Sequence, residues 1–343
     1  MKKLILIVPF ILVIVTTLVL YKNYTQSGEM KNPQGETQKV EGPYEKYSFE
    51  RLVTREDKVS VIELGEEIAT TPEYTSYVFY YYSEGRRISG QLNLPNLSRL
   101  MGAVVMARGY VEKDGYTTGT GTRNAAAVYA KNGYITLAPD FSGYGESETE
   151  DENALGARLV KPVEVLDLIA SLSSLPQIDL TRVYLWGHSN GGQITVSLSE
   201  VLGERARRGI ANQNRAMIRG ATLWAPVTKP FPYNILYYTD EADDQGKWLR
   251  SEIAKFEAEY DVFKYSIDKY LDWIDIPLVI HQGTVDDAVP VTWSREFVKR
   301  LEEKEKLHAY YEYPGADHNM RPDWNTVVLR DLDFFNKLGG ENL

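Results

Sequence analysis

The sequence predicts an α/β protein in which a mostly parallel central sheet of about eight strands is covered by helices on both faces. Short apolar or β-rich runs recur at 103–106, 134–138, 183–186, 221–224, 278–281 and 308–313. Helix-compatible sequence follows each of the first five, and that alternation winds a parallel sheet with helices on either side. The 343-residue chain is 43% hydrophobic, ample for a substantial core. In the middle of the alternation, Val183-Tyr184-Leu185-Trp186 runs straight into Gly187-His188-Ser189-Asn190-Gly191 and then into helix-compatible sequence at 193–207. That strand, turn and helix with a serine at the tip form the stretch around which the chain is organised.

At the amino end, Met1-Lys2-Lys3 precedes an uncharged run from 4 to 21 that is apolar apart from Pro9, Thr16 and Thr17 and is long enough to span a bilayer. No small-x-small cleavage site follows it. Residues 1–21 therefore read as an uncleaved signal anchor, with a cleaved signal peptide as the alternative, the paired lysines inside and the rest of the chain outside. Residues 22–46, rich in Gln, Asn, Gly and charge, read as a flexible tether, and 47–343 as one catalytic domain. Within it, 77–82 and 88–94 form a hairpin about Ser83-Glu84-Gly85.

The parallel strands and their helices follow, with helix ends expected at Gly133 for the segment 124–130 and at Gly339 for 326–338. One segment breaks the pattern. More than fifty residues separate Trp224 from Leu278, and apolar positions at Ile253, Phe256, Tyr260, Phe263, Ile267, Tyr270 and Ile274 fall in steps of three and four. This predicts an amphipathic helix or a broken pair, and 229–274 is read as a helical cap insertion at the ligand edge of the sheet.

Charge and composition exclude several functions. A net charge of −10 without a Lys/Arg cluster argues against a nucleic-acid partner. The absence of cysteine removes thiol catalysis, disulfides and cysteine-ligated zinc.

Small residues must flank Ser189 because a strand-to-helix turn this tight has no room for side chains at Gly187 and Gly191. A serine hydroxyl is inert until a base takes its proton, and the base needs a carboxylate to fix its tautomer. The chain has 4 histidines. His188 adjoins the nucleophile and should diverge from its Oγ, and His281 ends an apolar strand as a packed residue. His308 opens a strand on the wrong side of the sheet. His318 follows that strand in the loop after Pro314-Gly315-Ala316-Asp317, at the carboxyl edge where ligands bind. The acid should leave the strand before, and the turn Gly283-Thr284-Val285-Asp286-Asp287 offers Asp286 and Asp287. The oxyanion formed on attack needs two backbone donors, one of them the N–H of Asn190.

Three blocks taken in order, Gly187-His188-Ser189-Asn190-Gly191-Gly192, then His281 to Pro290, then Tyr313-Pro314-Gly315-Ala316-Asp317-His318, resemble the signatures of the prolyl-oligopeptidase-like branch of the α/β-hydrolases. Asp140-Phe141-Ser142-Gly143-Tyr144-Gly145-Glu146-Ser147 is similar to the family's glycine-rich loop. The resemblance covers about residues 77–338 and implies an α/β-hydrolase fold. It also implies Asp286 as the acid, with Asp287 a turn-stabilising neighbour, and Tyr110 as the second oxyanion donor. The chain departs from the family in having Arg108-Gly109-Tyr110 where His-Gly is usual, and Gln282 inside His281-Gln282-Gly283. Arg108 is expected to salt-bridge the loop in place of that histidine.

The expectation is a membrane-anchored, extracytoplasmic serine hydrolase forming an acyl-enzyme on Ser189, with no metal or cofactor. An S9-like peptidase on small peptides comes first and a carboxylesterase second, the family containing both. Only about 75 residues precede the resemblance, fewer than the propeller of the oligopeptidases needs. A catalytically inactive binding module at the membrane surface is the remaining alternative.

Overall fold

A computed structural model of the chain describes residues 29–31, 37–39, 42–97, 100–210, 216–239 and 243–340. The chain divides into two units, 1–45 and 46–343. Within the first, Glu29–Lys31 pairs antiparallel with Thr37–Lys39. The anchor expected at 1–21 and much of the tether expected at 22–46 lie outside the described residues. Among the described residues, no helix is long and apolar enough to cross a membrane.

The second unit is built on a nine-stranded sheet. In chain order its strands are β1 (Glu63–Thr70), β2 (Tyr74–Ser83), β3 (Arg86–Pro95), β4 (Gly102–Ala107), β5 (Tyr134–Pro139), β6 (Val183–His188), β7 (Ile218–Trp224), β8 (Leu278–Gly283) and β9 (Leu307–Tyr313). Across the sheet they lie β9-β8-β7-β6-β4-β5-β3-β2-β1. The six strands from β4 to β9 are mutually parallel, and β3, β2 and β1 continue the sheet antiparallel. All eight expected strands are present.

The ninth, β1, had no apolar signature because it is an edge strand with nearly every residue exposed and three glutamates, Glu63, Glu66 and Glu67. By contrast β4 and β5 are buried at every position, as strands covered on both faces must be. The β2–β3 hairpin closes on Glu84-Gly85, both at positive φ (50° and 77°), the backbone twist that two-residue hairpin turns require.

The helices are α1 (Phe49–Thr54), α2 (Arg123–Lys131), α3 (Ala154–Leu159), α4 (Lys161–Ser171), α5 (Asn190–Arg207), α6 (Tyr233–Leu236), α7 (Lys247–Glu259), α8 (Val291–Glu303) and α9 (Trp324–Gly339). Helices α2 and α9 share one core with Val104, Met106, Tyr184, Trp186 and Trp224, while α4 and α5 pack together and against the sheet. The cap of α9 falls one residue later than expected: Gly339 is still helical and Gly340 takes the left-handed conformation at φ 74°.

The insertion holds the short helix α6 and then α7, followed by three 3-10 turns at Val262–Tyr265, Ile267–Lys269 and Leu271–Trp273. Of the expected stripe, Ile253, Phe256, Tyr260, Ile267, Tyr270 and Ile274 are buried, but Phe263 is 58% exposed, because the chain leaves the α-helix after Glu259 and the tighter 3-10 turn brings Tyr265 inward in its place.

The segment 47–62 is fastened to the sheet's helices by a buried ionic network. Arg55 grips Asp167 of α4 with two bonds of 2.7 and 2.8 Å and reaches Glu84 at 3.1 Å. Arg205 of α5 bonds Asp57 at 2.9 Å and the main-chain oxygens of Leu52 (2.6 Å) and Val53 (3.1 Å).

Candidate active site

The chain leaves β4 for β5 on one side and later returns to place β6 on the other, so the order of connection reverses at β4. Such a switch point opens a crevice at the carboxyl ends of its strands. Ala107 of β4 lies opposite Gly187 of β6, and the two strands deliver Arg108-Gly109-Tyr110 and His188-Ser189 to that edge together.

Ser189 sits at the tip of the β6–α5 turn with φ 57° and ψ −122°, a conformation that L-residues rarely adopt. Its surroundings hold it there. The Ser189 N–H donates to the Trp224 oxygen at 2.9 Å, and its carbonyl accepts from Gly192 and Val227 at 2.9 and 3.0 Å. A Cβ at Gly191 would stand 1.9 Å from the Ala107 oxygen, and one at Gly187 would stand 2.3 Å from Thr195 Oγ1. The expected demand for small residues at both positions is met.

His318 lies in the loop after β9, laced to the β8 turn by bonds from Thr284 N to the Tyr313 oxygen and from Val285 N to the Ala316 oxygen, both 3.1 Å. This lacing brings His318 Nδ1 to 2.8 Å from Asp286 Oδ2. Asp286 is buried, whereas Asp287 is exposed, so the geometry separates the two. Burial by itself would raise the Asp286 pKa. The His318 hydrogen bond and charge, the Val289 N–H and the Gln282 amide outweigh it and hold the carboxyl below its ordinary value.

Asp286 Oδ1 also accepts from the N–H groups of Ala288 (2.9 Å) and Val289 (2.8 Å). The aspartate that braces the turn is thus Asp286 itself, not Asp287. Gln282, at first only a departure from the family pattern, donates to Asp286 Oδ2 at 2.9 Å, and Ser294 Oγ fixes its amide by donating to Oε1 at 2.7 Å.

Ser189 Oγ and His318 are not joined by a hydrogen bond among the described residues. Contact runs instead through the serine's neighbour. The His188 ring lies 4.6 Å from the His318 ring and its Nε2 donates to the His318 carbonyl at 2.9 Å. Loss of hydration, then the adjacent His318, lower the His188 pKa to about 4. His188 is therefore neutral and serves as a donor.

The N–H groups of Tyr110 and Asn190 have no hydrogen-bond partner among the described residues. The Tyr110 side chain is exposed, its hydroxyl donating to Glu112 at 2.9 Å. Arg108 makes no ion pair among the described residues: its guanidinium donates to the carbonyls of Gly109 (2.9 Å) and Asp140 (2.7 Å) and lies over the Tyr144 ring at 4.1 Å. The expected salt bridge is replaced because the Asp140 carboxylate is already taken by Ser89, Tyr116 and Thr118 at 2.6, 2.7 and 2.8 Å.

His281 is packed, as expected, but into a polar cluster that the sequence did not announce. Fully buried Asp331 of α9 accepts from His281 Nε2 (2.9 Å), Trp224 Nε1 (2.8 Å), Tyr129 OH (2.7 Å) and Thr222 Oγ1 (2.5 Å). His308 falls at the amino end of β9, away from the crevice.

Beside Asn190 lies a pocket of about 70 Å³. The insertion contributes Phe231, Asn234, Ile235 and Tyr265 to its wall, α3 and the start of α4 contribute Arg158 and Pro162, and Phe49 and Leu52 of α1 close another side. Among the described residues, no group of three or more His, Asp or Glu is placed to hold a metal ion.

The family model described as "Prolyl oligopeptidase family" matches residues 121–341, more than half of the chain. The chain belongs to the prolyl oligopeptidase family. Its fold is that of the α/β-hydrolases. Among curated proteins, it is 26% identical over 168 residues to a Schizosaccharomyces pombe protein with the provisional name dipeptidyl aminopeptidase C14C4.15c, covering 48% of this chain and 17% of that protein. It is 23% identical over 219 residues to human Protein ABHD12B, covering 61% of this chain and 54% of that protein. The chain thus spans about half or less of the length of these relatives.

Among solved structures, acetyl xylan esterase 1 from Thermoanaerobacterium superposes with a TM-score of 0.58 at 17% identity, covering 86% of this chain and 93% of that one. A puromycin-hydrolysing peptidase of Mycobacterium tuberculosis does so with a TM-score of 0.59 at 18% identity, covering 80% and 41%. These likenesses show the shared fold.

Proposed function

We propose that the protein is a serine peptidase acting on small peptides through an acyl-enzyme on Ser189. The observation that carries the reading is the 2.8 Å bond from His318 Nδ1 to buried Asp286, in the crevice where the strained Ser189 turn ends. In this reading His318 Nε2 takes the Ser189 proton as the oxygen attacks the carbonyl, and Asp286 orients the ring and stabilises its cation. The N–H groups of Asn190 and Tyr110 receive the oxyanion, being free to donate without first breaking a protein hydrogen bond. His318 then gives its proton to the leaving amine, and water repeats the sequence to release the acyl group. Substrate binding is expected to bring Ser189 Oγ and His318 into register, since such bonds are often long in an empty site.

A carboxylesterase is the second reading, favoured by the pocket beside Asn190, whose volume of about 70 Å³ suits a short acyl group. Residues 1–21 are proposed to anchor the catalytic domain at the outer face of a membrane, or to be removed as a signal peptide. Labelling of the purified protein with a fluorophosphonate probe tests the activated serine. Ser189→Ala should abolish labelling, and persistent labelling at another residue would overturn the reading. Turnover of aminoacyl and dipeptidyl p-nitroanilides supports the peptidase, and activity confined to p-nitrophenyl esters supports the esterase.

A further inference from the structure

The pocket beside Asn190 is apolar on most of its wall, yet Arg158 of α3 lines it. Among the described residues the Arg158 guanidinium has neither an ion pair nor a hydrogen bond. Its charge is not isolated, because Lys161 one turn on, at the start of α4, is also without a salt bridge among the described residues. Withdrawal from water, then repulsion from Arg108 and Arg158, lower the Lys161 pKa to about 8, so the three cations lie within each other's field.

The nearby carboxylates Glu150 and Glu164 offset part of this repulsion through their charge but bond to other groups. Glu150 pairs with Lys113, and buried Glu164 accepts from the Ser142 N–H at 3.3 Å. Arg158 is an exposed residue that also feels the Glu150 charge, yet no carboxylate is bonded to it among the described residues, so its guanidinium is the cation that an anionic group in the pocket would meet. The same pocket wall carries Asn234, only 7% exposed, whose Nδ2 donates to Gln193 at 2.9 Å while its Oδ1 has no partner. A buried amide oxygen left unpaired costs free energy that a ligand N–H would recover.

We propose that this pocket selects substrates whose acyl half ends in a carboxylate, with Arg158 making the charge contact and Lys161 reinforcing its field. The inference rests on the acyl-enzyme reading, because it takes the pocket next to Asn190 as the one that receives the acyl group. The ligand chemistry is a short acyl chain with a terminal carboxylate. Two sources supply it: a peptide with an acidic residue at the cleaved carbonyl, or a half-ester of a short dicarboxylic acid. Arg158 distinguishes either from its neutral isostere because a guanidinium with no bonded carboxylate pairs with a carboxylate and gains little from an amide or methyl group.

The test compares kcat/KM within two isosteric pairs, Ala-Glu-p-nitroanilide against Ala-Gln-p-nitroanilide and the p-nitrophenyl half-ester of glutaric acid against p-nitrophenyl valerate. The wild type should prefer the anionic member of the pair it hydrolyses by at least about tenfold at low salt, a factor that a single charge contact supplies. Added NaCl should erode the preference, since the contact is partly open to solvent. Arg158→Gln should bring the ratio close to one, Arg158→Lys should retain part of it, and Lys161→Gln should lower it less. A ratio near one in the wild type, or a preference that survives Arg158→Gln, overturns the subsite. So does turnover of neither pair by protein that the fluorophosphonate probe labels on Ser189, and in these cases the hydrolase reading stands. Failure of Ser189 to label removes that reading and the subsite with it. If Arg158→Gln does not fold, the wild-type ratio and its salt dependence still decide the matter.

Discussion

His188 Nε2 donates to the main-chain oxygen of His318 at 2.9 Å, with the two rings 4.6 Å apart. The residue next to the proposed nucleophile thereby fixes the loop that carries the proposed base. His188→Ala should lower kcat/KM by roughly 10²-fold, the cost of misplacing a reacting group by about 1 Å. His188→Gln, whose amide can still donate, should recover part of the loss. Steady-state kinetics and probe-labelling rates on the three proteins check this, and a His188→Ala enzyme with wild-type rates would remove the role.

The same residue sets a pH dependence. Its folded pKa of about 4 lies below the ordinary value of 6.5, so the unfolded chain binds more protons in between. Its contribution to stability is complete above about pH 6.5 and is lost as the pH falls toward 4. Denaturant midpoints measured from pH 7 to 4 should fall more steeply for the wild type than for His188→Gln. Parallel curves would contradict the assignment.

Ser189→Ala and His318→Ala should each cut kcat by roughly 10⁴-fold or more without unfolding the protein, because both side chains sit at the loop edge of the sheet. Asp286→Asn should be nearly as severe, since it disturbs the tautomer of His318. Asp287→Asn should change kcat only a few-fold, as Asp287 is exposed. The reverse order for the two aspartates would identify the wrong acid.

Arg205→Ala should destabilise the fold by about 3 kcal/mol, because it removes one of the two arginines paired with Asp57 and the donor to two buried carbonyls. Urea unfolding followed by tryptophan fluorescence measures it. A loss below about 1 kcal/mol would mean that the network is as weak as a surface pair.

Within the insertion, Phe231 is 5% exposed and lines the pocket, whereas Trp248 is 55% exposed and lies outside it. Phe231→Ala should therefore change relative kcat/KM among substrates of different acyl size, and Trp248→Ala should not. Tyr237, packed at 4.6 Å on Trp293, should affect stability more than selectivity. Equal losses on every substrate for Phe231→Ala would leave the segment as plain packing.

The sequence by itself determined the strands that are buried on both faces, because continuous apolar runs such as Val183 to Trp186 have no other stable place. It also determined the Ser189 turn, whose glycines are dictated by local sterics, and singled out His318 by its position after a parallel strand. What it left open were interactions between segments far apart in the chain. The exposed edge strand Glu63–Thr70 carries no pattern because neither face is buried. Asp286 was separated from Asp287 by the lacing of two loops, and Gln282 acquired its role only when the β8 turn closed over Asp286. Asp331 became the centre of four hydrogen bonds because α9 lies across β7 and α2, a packing that no local periodicity encodes. Arg158 likewise looks like a solvated helix charge in one dimension. Only the convergence of α3, the Ser189 turn and the insertion places it, with no carboxylate bonded to it, on a wall shared with Asn190.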